Sequence, residues 1–346
     1  MELRQMAYLD QTFGVEFEVY LPVGLSHGAA AMALTNQGID CRPESYNHQT
    51  RTWWKIVTDG SLNDYARGAE FVSPVLQGEA GLETVATVLA LLNDMGCTVS
   101  KLCGTHVHVG VGHGNGNIAF FRNLLKLYAH FEPVIDRFMA ASRRASAASY
   151  CRSVTNVPFR TIDRTDSVEG LIRALTPPGH TARYTKLNLC AYRAHQTVEF
   201  RQHQGTLDNA KVRNWILLCL KLVWAAKSGN GIATGGGAIN RARLGSKGHL
   251  VGQLMLRTEG VTREEACAAT GWPSISLPQR ARECGLAYTT QRTGRVVRYF
   301  AQAAAASTEA PASLEGLFGK LGLDDAERAF FTARTAHLSS SMAMAA

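Results

Sequence analysis

Three short stretches place charged or imidazole side chains two residues apart: Glu16 and Glu18 in GVEFE, His106 and His108 in GTHVHVG, and Glu199 and Arg201 in TVEFR. In an extended strand that spacing puts both members of a pair on one face, about 7 Å apart. Two carboxylates so placed suit divalent cations bridged by phosphate oxygens, because magnesium prefers hard oxygen ligands. An isolated Glu-x-Glu is more often a solvated strand face. Three strands carrying such pairs, each alternating with Val or Phe, change that balance, since an edge strand more often shows Lys and Thr there.

The elements that must hold these pairs are short β-rich runs (FGVEFEVYLPV, TWWKIVTDGS, AEFVSPVL, CGTHVHVGVG, YTKLNL and TVEFRQHQ) separated by helical stretches over 81–96 and 118–139. This is an α+β pattern. Glutamates and histidines on one face, with Val, Phe and Leu on the other, predict a sheet packed on helices behind and lining a polar cleft in front. Thr206 and Asp208 are placed to cap a helix starting near Asn209. The segment 142–160 is basic and rich in small residues; Arg143, Arg144, Arg152 and Arg160 either contact an anionic substrate from a loop over the cleft or belong to a solvated loop. Trp53 and Trp54 read as core or interface.

A glycine-dense stretch, 228–248, marks a linker and divides the chain: residues 1–227 form the domain with the paired side chains, 249–305 a second module, and 306–346 an Ala-rich connection with one last helix. The second module reads as three helices and a hairpin around Thr293-Gly294, the pattern of a winged helix-turn-helix. Thr262 and Glu265 form a capping box at the start of its middle helix. Residues 241–300 hold ten Lys or Arg against four Asp or Glu, so most of the chain's net charge of +8 lies here. Nucleic-acid binding through 249–300 is the partner this implies, with Gln279, Arg280 and Arg282 on the recognition helix and Arg292, Arg295 and Arg298 on the wing. A winged helix that binds protein remains the alternative.

Composition excludes several classes. No segment of the 346 residues stays apolar for the ~18–20 residues a membrane span needs, and the N-terminus has no secretory pattern, so a cytoplasmic location is expected. The eight cysteines are dispersed without a CxxC pair, which speaks for thiols rather than a zinc knuckle or disulfide framework.

Six motifs in order, GVEFE, DGS (59–61), EFVSP (70–74), GTHVHVG, Lys186-x-Asn188 and TVEFRQHQGTLD, resemble the amidoligase family of the carboxylate-amine ligase group, which includes glutamine synthetase and glutamate-cysteine ligase. The resemblance covers about residues 12–225. It implies an antiparallel sheet with a polar catalytic face, helices on the other side, ATP and Mg2+ (or Mn2+) as cofactors, and amide formation from a carboxylate and an amine, as small molecules or peptides, through an acyl phosphate. It further implies that Glu16, Glu18, Glu70, His106 and Glu199 ligate metal, that His108 lies near the nucleotide phosphates, and that Arg201 stabilises the transferring phosphoryl group. Which histidine ligates stays open. Asp59 would orient the amine or accept its proton, Ser61 assisting, unless Asp-Gly is only a turn; Lys186 and Asn188, read as sharing one face, would hold phosphate or a substrate carboxylate, unless they belong to a strand edge. The alternative is a DNA-binding regulator or mobile-element protein whose ligase-like domain senses a nucleotide or metabolite without turnover. A metal-dependent hydrolase would need a water-activating base that the sequence does not point to.

Overall fold

The computed structural model describes residues 7–64, 66–112, 117–229, 232, 247–284, 286–294, 296–303 and 312–343. The chain forms two compact units, one of Met1–Val157, Ile162–Ile232 and Ala312–Ala346, the other of Pro158–Thr161 and Ala233–Pro311. Most of the glycine-rich linker, the Ala-rich connection up to residue 311 and Arg295 lie outside the described residues.

Up to residue 227 the elements are β1 (Thr12–Tyr20), α1 (His27–Thr35), β2 (Cys41–Pro43), β3 (Trp54–Val57), β4 (Gly68–Val72), β5 (Leu76–Gln77), α2 (Gly78–Asp94), β6 (Gly104–Gly110), α3 (Ile118–Ile135), α4 (Phe159–Arg164), α5 (Val168–Leu175), β7 (Leu187–Asn188), α6 (Ala191–His195), β8 (Thr197–Gln204) and α7 (Asn209–Lys227). The sheet runs β2-β3-β4-β1-β6-β8-β7, with β5 beside the start of β1. Its pairings are antiparallel except at one edge, where β2 and β3 run parallel and so depart from the fully antiparallel sheet expected. Parallel neighbours need a crossover rather than a tight turn, and residues 44–53 provide it.

Strand β1 shows how alternation sorts the two faces. Phe13, Val15, Phe17 and Val19 are buried, while Glu16 and Glu18 point to the other side, opposite His106 and Glu70 respectively. Behind the apolar face, α2 buries Leu82, Val85, Leu89 and Leu92, α3 buries Phe121, Leu124, Leu125 and Tyr128, and α7 buries Trp215, Ile216, Cys219 and Leu222. Each fully buried side chain of this size contributes about 1.5–3 kcal/mol. Asp208 caps α7 by accepting from the Lys211 amide at 3.1 Å, as its position predicts. Seven cysteines, Cys41, Cys97, Cys103, Cys151, Cys190, Cys219 and Cys267, are free thiols. None of the described helices is long and apolar enough to cross a membrane.

The second unit holds α8 (Lys247–Met255), α9 (Arg263–Thr270), α10 (Leu277–Cys284) and the hairpin β9 (Leu286–Thr293) and β10 (Val296–Ala303). Val261, between α8 and α9, bridges to Tyr299 of β10. Its core gathers Val251, Leu254, Met255, Val261, Leu277 and Ala281 under Tyr299 and Ala301. The Thr262–Glu265 capping box forms with both bonds in place, at 3.0 and 3.1 Å. Gly260 sits at φ +65 with the Tyr299 carbonyl 2.8 Å from where a Cβ would stand, so only glycine fits there.

The C-terminal stretch, expected as one helix, is two: α11 (Leu314–Leu321) and α12 (Asp325–Ala343). Gly322 ends the first in a left-handed conformation. Asp324 and Glu327 then start the second with a reciprocal capping box, at 2.9 and 2.8 Å. Both helices belong to the first unit. Lys221 of α7 reaches Glu327 at 2.5 Å, and Phe138, Phe318 and Phe331 cluster behind them.

Candidate active site

The register of five strands lines the polar face. Glu18 lies opposite Glu70 and Glu16 opposite His106; His108 lies opposite Glu199, and Glu199 opposite Asn188. The pairing of β6 with β8 shifts by one residue between Thr105 and Val107, because Thr105 faces His203 while Val107 faces Phe200. This β-bulge lets two successive residues of β8, Gln202 and His203, serve the same layer. Arg201 stays on the polar side beside Glu199, whereas Gln202 meets Tyr128 on the helix side and His203 packs on Trp215. Strict period-two alternation would have sent His203 to the polar face. Burial instead pushes its imidazole down to about 4, so it is a neutral core residue.

Ligand-type atoms converge in three overlapping groups, each with its atoms within 4.8 Å of one another: Glu16, Glu70 and His106; Glu16, His108 and Glu199; Glu18, Asp59 and Glu70. His106 Nδ1 is 3.0 Å from Glu16 and its Nε2 3.7 Å from Glu18. His108 Nε2 is 3.3 Å from Glu16, and its Nδ1 is fixed by the Thr197 hydroxyl at 3.0 Å. Both histidines therefore stand in ligand range. Glu199 receives Arg201 Nη1 at 2.5 Å and Asn188 Nδ2 at 2.6 Å. Glu18 accepts the Gly104 amide at 2.6 Å. A Cβ on Gly104 would stand 2.6 Å from His106 Nε2, which is why the strand needs glycine there.

The charges are unevenly balanced. Burial pushes the Glu70 carboxyl well above the usual glutamate range, and Glu16, Glu18 and Asp59 add to it. Burial likewise raises Glu18, against the pull of His106. At Glu16 burial also acts upward, but hydrogen bonds from His106 and His108 outweigh it and hold the carboxyl well below its ordinary value. Glu199 lies low because Arg201 and His108 overcome its burial; Glu199 in turn raises Arg201 against its burial, while His108 is raised, also against burial, first by Glu16 and then by Glu199. A buried surplus of carboxylates, with imidazole beside it, is the donor chemistry of a hard divalent cation such as Mg2+ or Mn2+. Arg201 Nε is buried without an acceptor, a donor that a phosphoryl oxygen would satisfy.

Several expected residues stand elsewhere. Lys186 does not share Asn188's face. It is fully buried on the helix side, with Glu132 at 2.8 Å and Asp136 at 2.6 Å, because two carboxylates at the end of α3 need a cation. Arg143 and Arg152 are no substrate contacts either. Arg143 donates to the carbonyls of Leu102 and Cys103, and Arg152 to those of Ser149 and Thr181, so both tie 142–160 to the fold from within. Asp59 does reach the site and accepts the Ser61 amide at 2.7 Å. Trp54 is core, stacked on Phe17, and Trp53 lies under Arg42. Unforeseen is Lys55, buried on the polar face opposite Val72; its placement two residues from Val57, in phase with Glu70, was the available signal.

In the second unit Gln279 and Arg292 are exposed, and Arg280 lies 5.2 Å from the Trp272 ring. Arg298 is held by Glu265 at 2.7 Å.

Residues 9–223 match the family described as "Putative amidoligase enzyme". No curated protein matches the chain.

Proposed function

The chain belongs to the amidoligase family, and from that premise we propose that it is an ATP- and divalent-metal-dependent ligase joining a carboxylate to an amine through an acyl phosphate. The observation carrying this reading is the three groups of carboxylates and histidines linked to one another through Glu16 and Glu70 on the polar side of the sheet. A polar face backed by helices also supports a likeness to the glutamine synthetase and glutamate-cysteine ligase fold. When bound, the metals would neutralise triphosphate oxygens and leave the γ-phosphorus open to the substrate carboxylate. Glu16, Glu18, Glu70, Glu199 and both histidines would hold them. Arg201, kept in place by Glu199, would stabilise charge on the phosphoryl group during its transfer to the substrate oxygen, its buried Nε being a donor still without a partner. The amine nitrogen then attacks the acyl carbon, phosphate leaves, and Asp59 takes the proton the nitrogen sheds. Turnover, rather than silent sensing, is what the family favours.

The test is phosphate release by the full chain given Mg-ATP and pooled amino acids, dicarboxylates and amines. Substrate-stimulated release that Glu16→Gln abolishes is expected. A broad pool that stimulates nothing would overturn the reading.

For the second unit, the order helix, bridge, helix, helix and hairpin supports a winged helix-turn-helix that binds nucleic acid. Gln279, Arg280 and Arg292 are its contact candidates; Arg298 is structural, since Glu265 neutralises it. Gln279→Ala with Arg292→Ala in the full chain should weaken duplex DNA binding in a mobility-shift assay and flatten its salt dependence. Unchanged affinity would remove this surface from consideration.

A further inference from the structure

Three buried lysines each meet a carboxylate: Lys126 has Asp163 at 2.7 Å, Lys186 has Glu132 at 2.8 Å, and Lys221 has Glu327 at 2.5 Å. Arg143 breaks this pattern. It is 1% exposed, and among the described residues no carboxylate pairs with it. A charge taken out of water needs compensation. Arg143 finds it in the Leu102 carbonyl at 3.1 Å, the Cys103 carbonyl at 2.7 Å and the Tyr150 ring, 5.0 Å away.

The peptide that takes the shorter of these bonds ends on the polar face. Its carbonyl, that of Cys103, accepts from Arg143 Nη2 and also from the Gly205 amide at 2.6 Å, so both lone pairs are used. Its N–H belongs to Gly104 and donates to Glu18 Oε2 at 2.6 Å. Arg143, one peptide group and Glu18 thus form a chain from cation to carboxylate, in which each bond is charge-assisted at its outer end and polarises the next. Glycine lets the chain close. A Cβ on Gly205 would stand 2.5 Å from the Cys103 Cβ and 3.1 Å from its carbonyl oxygen, so no other residue could bring its amide this near.

We infer that Arg143 is a positioning residue for Glu18: through the Cys103–Gly104 peptide it fixes the direction of that carboxylate and so strengthens the hold of Glu18, Asp59 and Glu70 on a divalent cation. This rests on the metal-dependent reading above. A direct arginine–glutamate pair, such as Arg201 makes with Glu199, occupies a carboxylate oxygen that a metal could use. One peptide of separation avoids that competition. Glu18 Oε2 is held by the Gly104 amide, and Oε1, 3.7 Å from His106 Nε2, is the oxygen left for the cation.

Mn2+ is the probe, its binding to the chelator-treated full chain read from the free-ion signal in electron paramagnetic resonance. Arg143→Gln should weaken Mn2+ binding roughly 10–100-fold, the usual effect of losing a group that orients a metal ligand. Arg143→Lys, which keeps the charge but not the fork, should lose a smaller factor. In a Glu18→Gln background Arg143→Gln should cause no further loss, an interdependence that a merely structural role would not produce. Wild-type affinity in Arg143→Gln, or its full loss repeated without the Glu18 carboxylate, would overturn the inference. If Arg143→Gln does not fold, Arg143→Lys decides, and affinity equal to wild type overturns it. A second readout needs no metal. With carbonyl-13C cysteine and 15N glycine only two peptides, Cys103-Gly104 and Cys284-Gly285, give paired signals in nuclear magnetic resonance, and Glu18→Gln identifies that of Gly104. The Gly104 amide proton should move upfield in Glu18→Gln and, by less, in Arg143→Lys; no movement in Arg143→Lys overturns the inference. A wild type that binds no Mn2+ yet shows both shifts would sink the metal reading and leave the positioning of Glu18 standing.

Discussion

At the β4–β1 end of the polar face Glu18, Glu70 and Asp59 converge, and among the described residues no lysine or arginine bridges to them. At the β8–β7 end Glu199 has Arg201, Asn188 and His108 around it. The two ends lie on one sheet, a few strands apart. The first leaves its charge for something else to neutralise. The second is already balanced, so its arginine is held rigidly and can act on an incoming charge without reorganising.

The largest effect should come from behind the balanced end. Lys186→Met leaves Glu132 and Asp136 buried without their cation and should cost about 3–5 kcal/mol in urea denaturation; a loss near zero would show that Lys186 does not brace this end. Next, Glu16→Gln removes the carboxylate shared by both histidine-containing groups. Turnover should fall roughly 10²–10³-fold with the circular dichroism spectrum unchanged, and activity within a few-fold of wild type would misplace the site.

Adding Mn2+ or Mg2+ to chelator-treated protein should raise stability by about 2.7 kcal/mol at a hundredfold excess over the dissociation constant. Glu70→Gln should blunt that gain far more than Asn188→Ala, since only Glu70 lies at the uncompensated end; equal blunting would erase the contrast. The smallest effect is electrostatic. The folded Glu70 carboxyl binds its proton more tightly than the unfolded one. Its contribution to stability is therefore complete below the ordinary glutamate range and is lost as pH rises through its higher folded value. Chelated wild type should lose more stability than Glu70→Gln as the pH rises from 4 to 8, read from denaturation midpoints; parallel curves would deny the effect.

Much of this face is legible in the sequence because alternation is a local property: each of Glu16, Glu18, His106, His108, Glu199 and Arg201 needs only its own strand to be extended. Asn188 followed the same rule, but Lys186 did not, since it precedes β7 and its direction is set by Asp136 and Glu132 at the end of α3, 50 and 54 residues away. Arg143 looked like a loop arginine because nothing local announces that the carbonyls of Leu102 and Cys103 need a donor. The course of residues 44–53 depends on Lys55 meeting three oxygens, two of Asn47 and one of Gln49, that chain order alone does not bring together. The break between α11 and α12, by contrast, was in plain view: Gly322 and the Asp324–Glu327 box are local signals of a helix end and a helix start.

The extra residue in β8 works like a frameshift written in three dimensions. Up to Arg201 the odd-numbered positions look into the cleft; at His203 an odd-numbered position looks into the core. Deleting one residue here would restore a regular ladder and invert every side chain on one side of the cut. Either His203 would be thrust out of its apolar nest or Arg201 would be driven under the sheet. The irregularity is thus the punctuation that allows one strand to be read in two phases, one addressed to chemistry and one to packing.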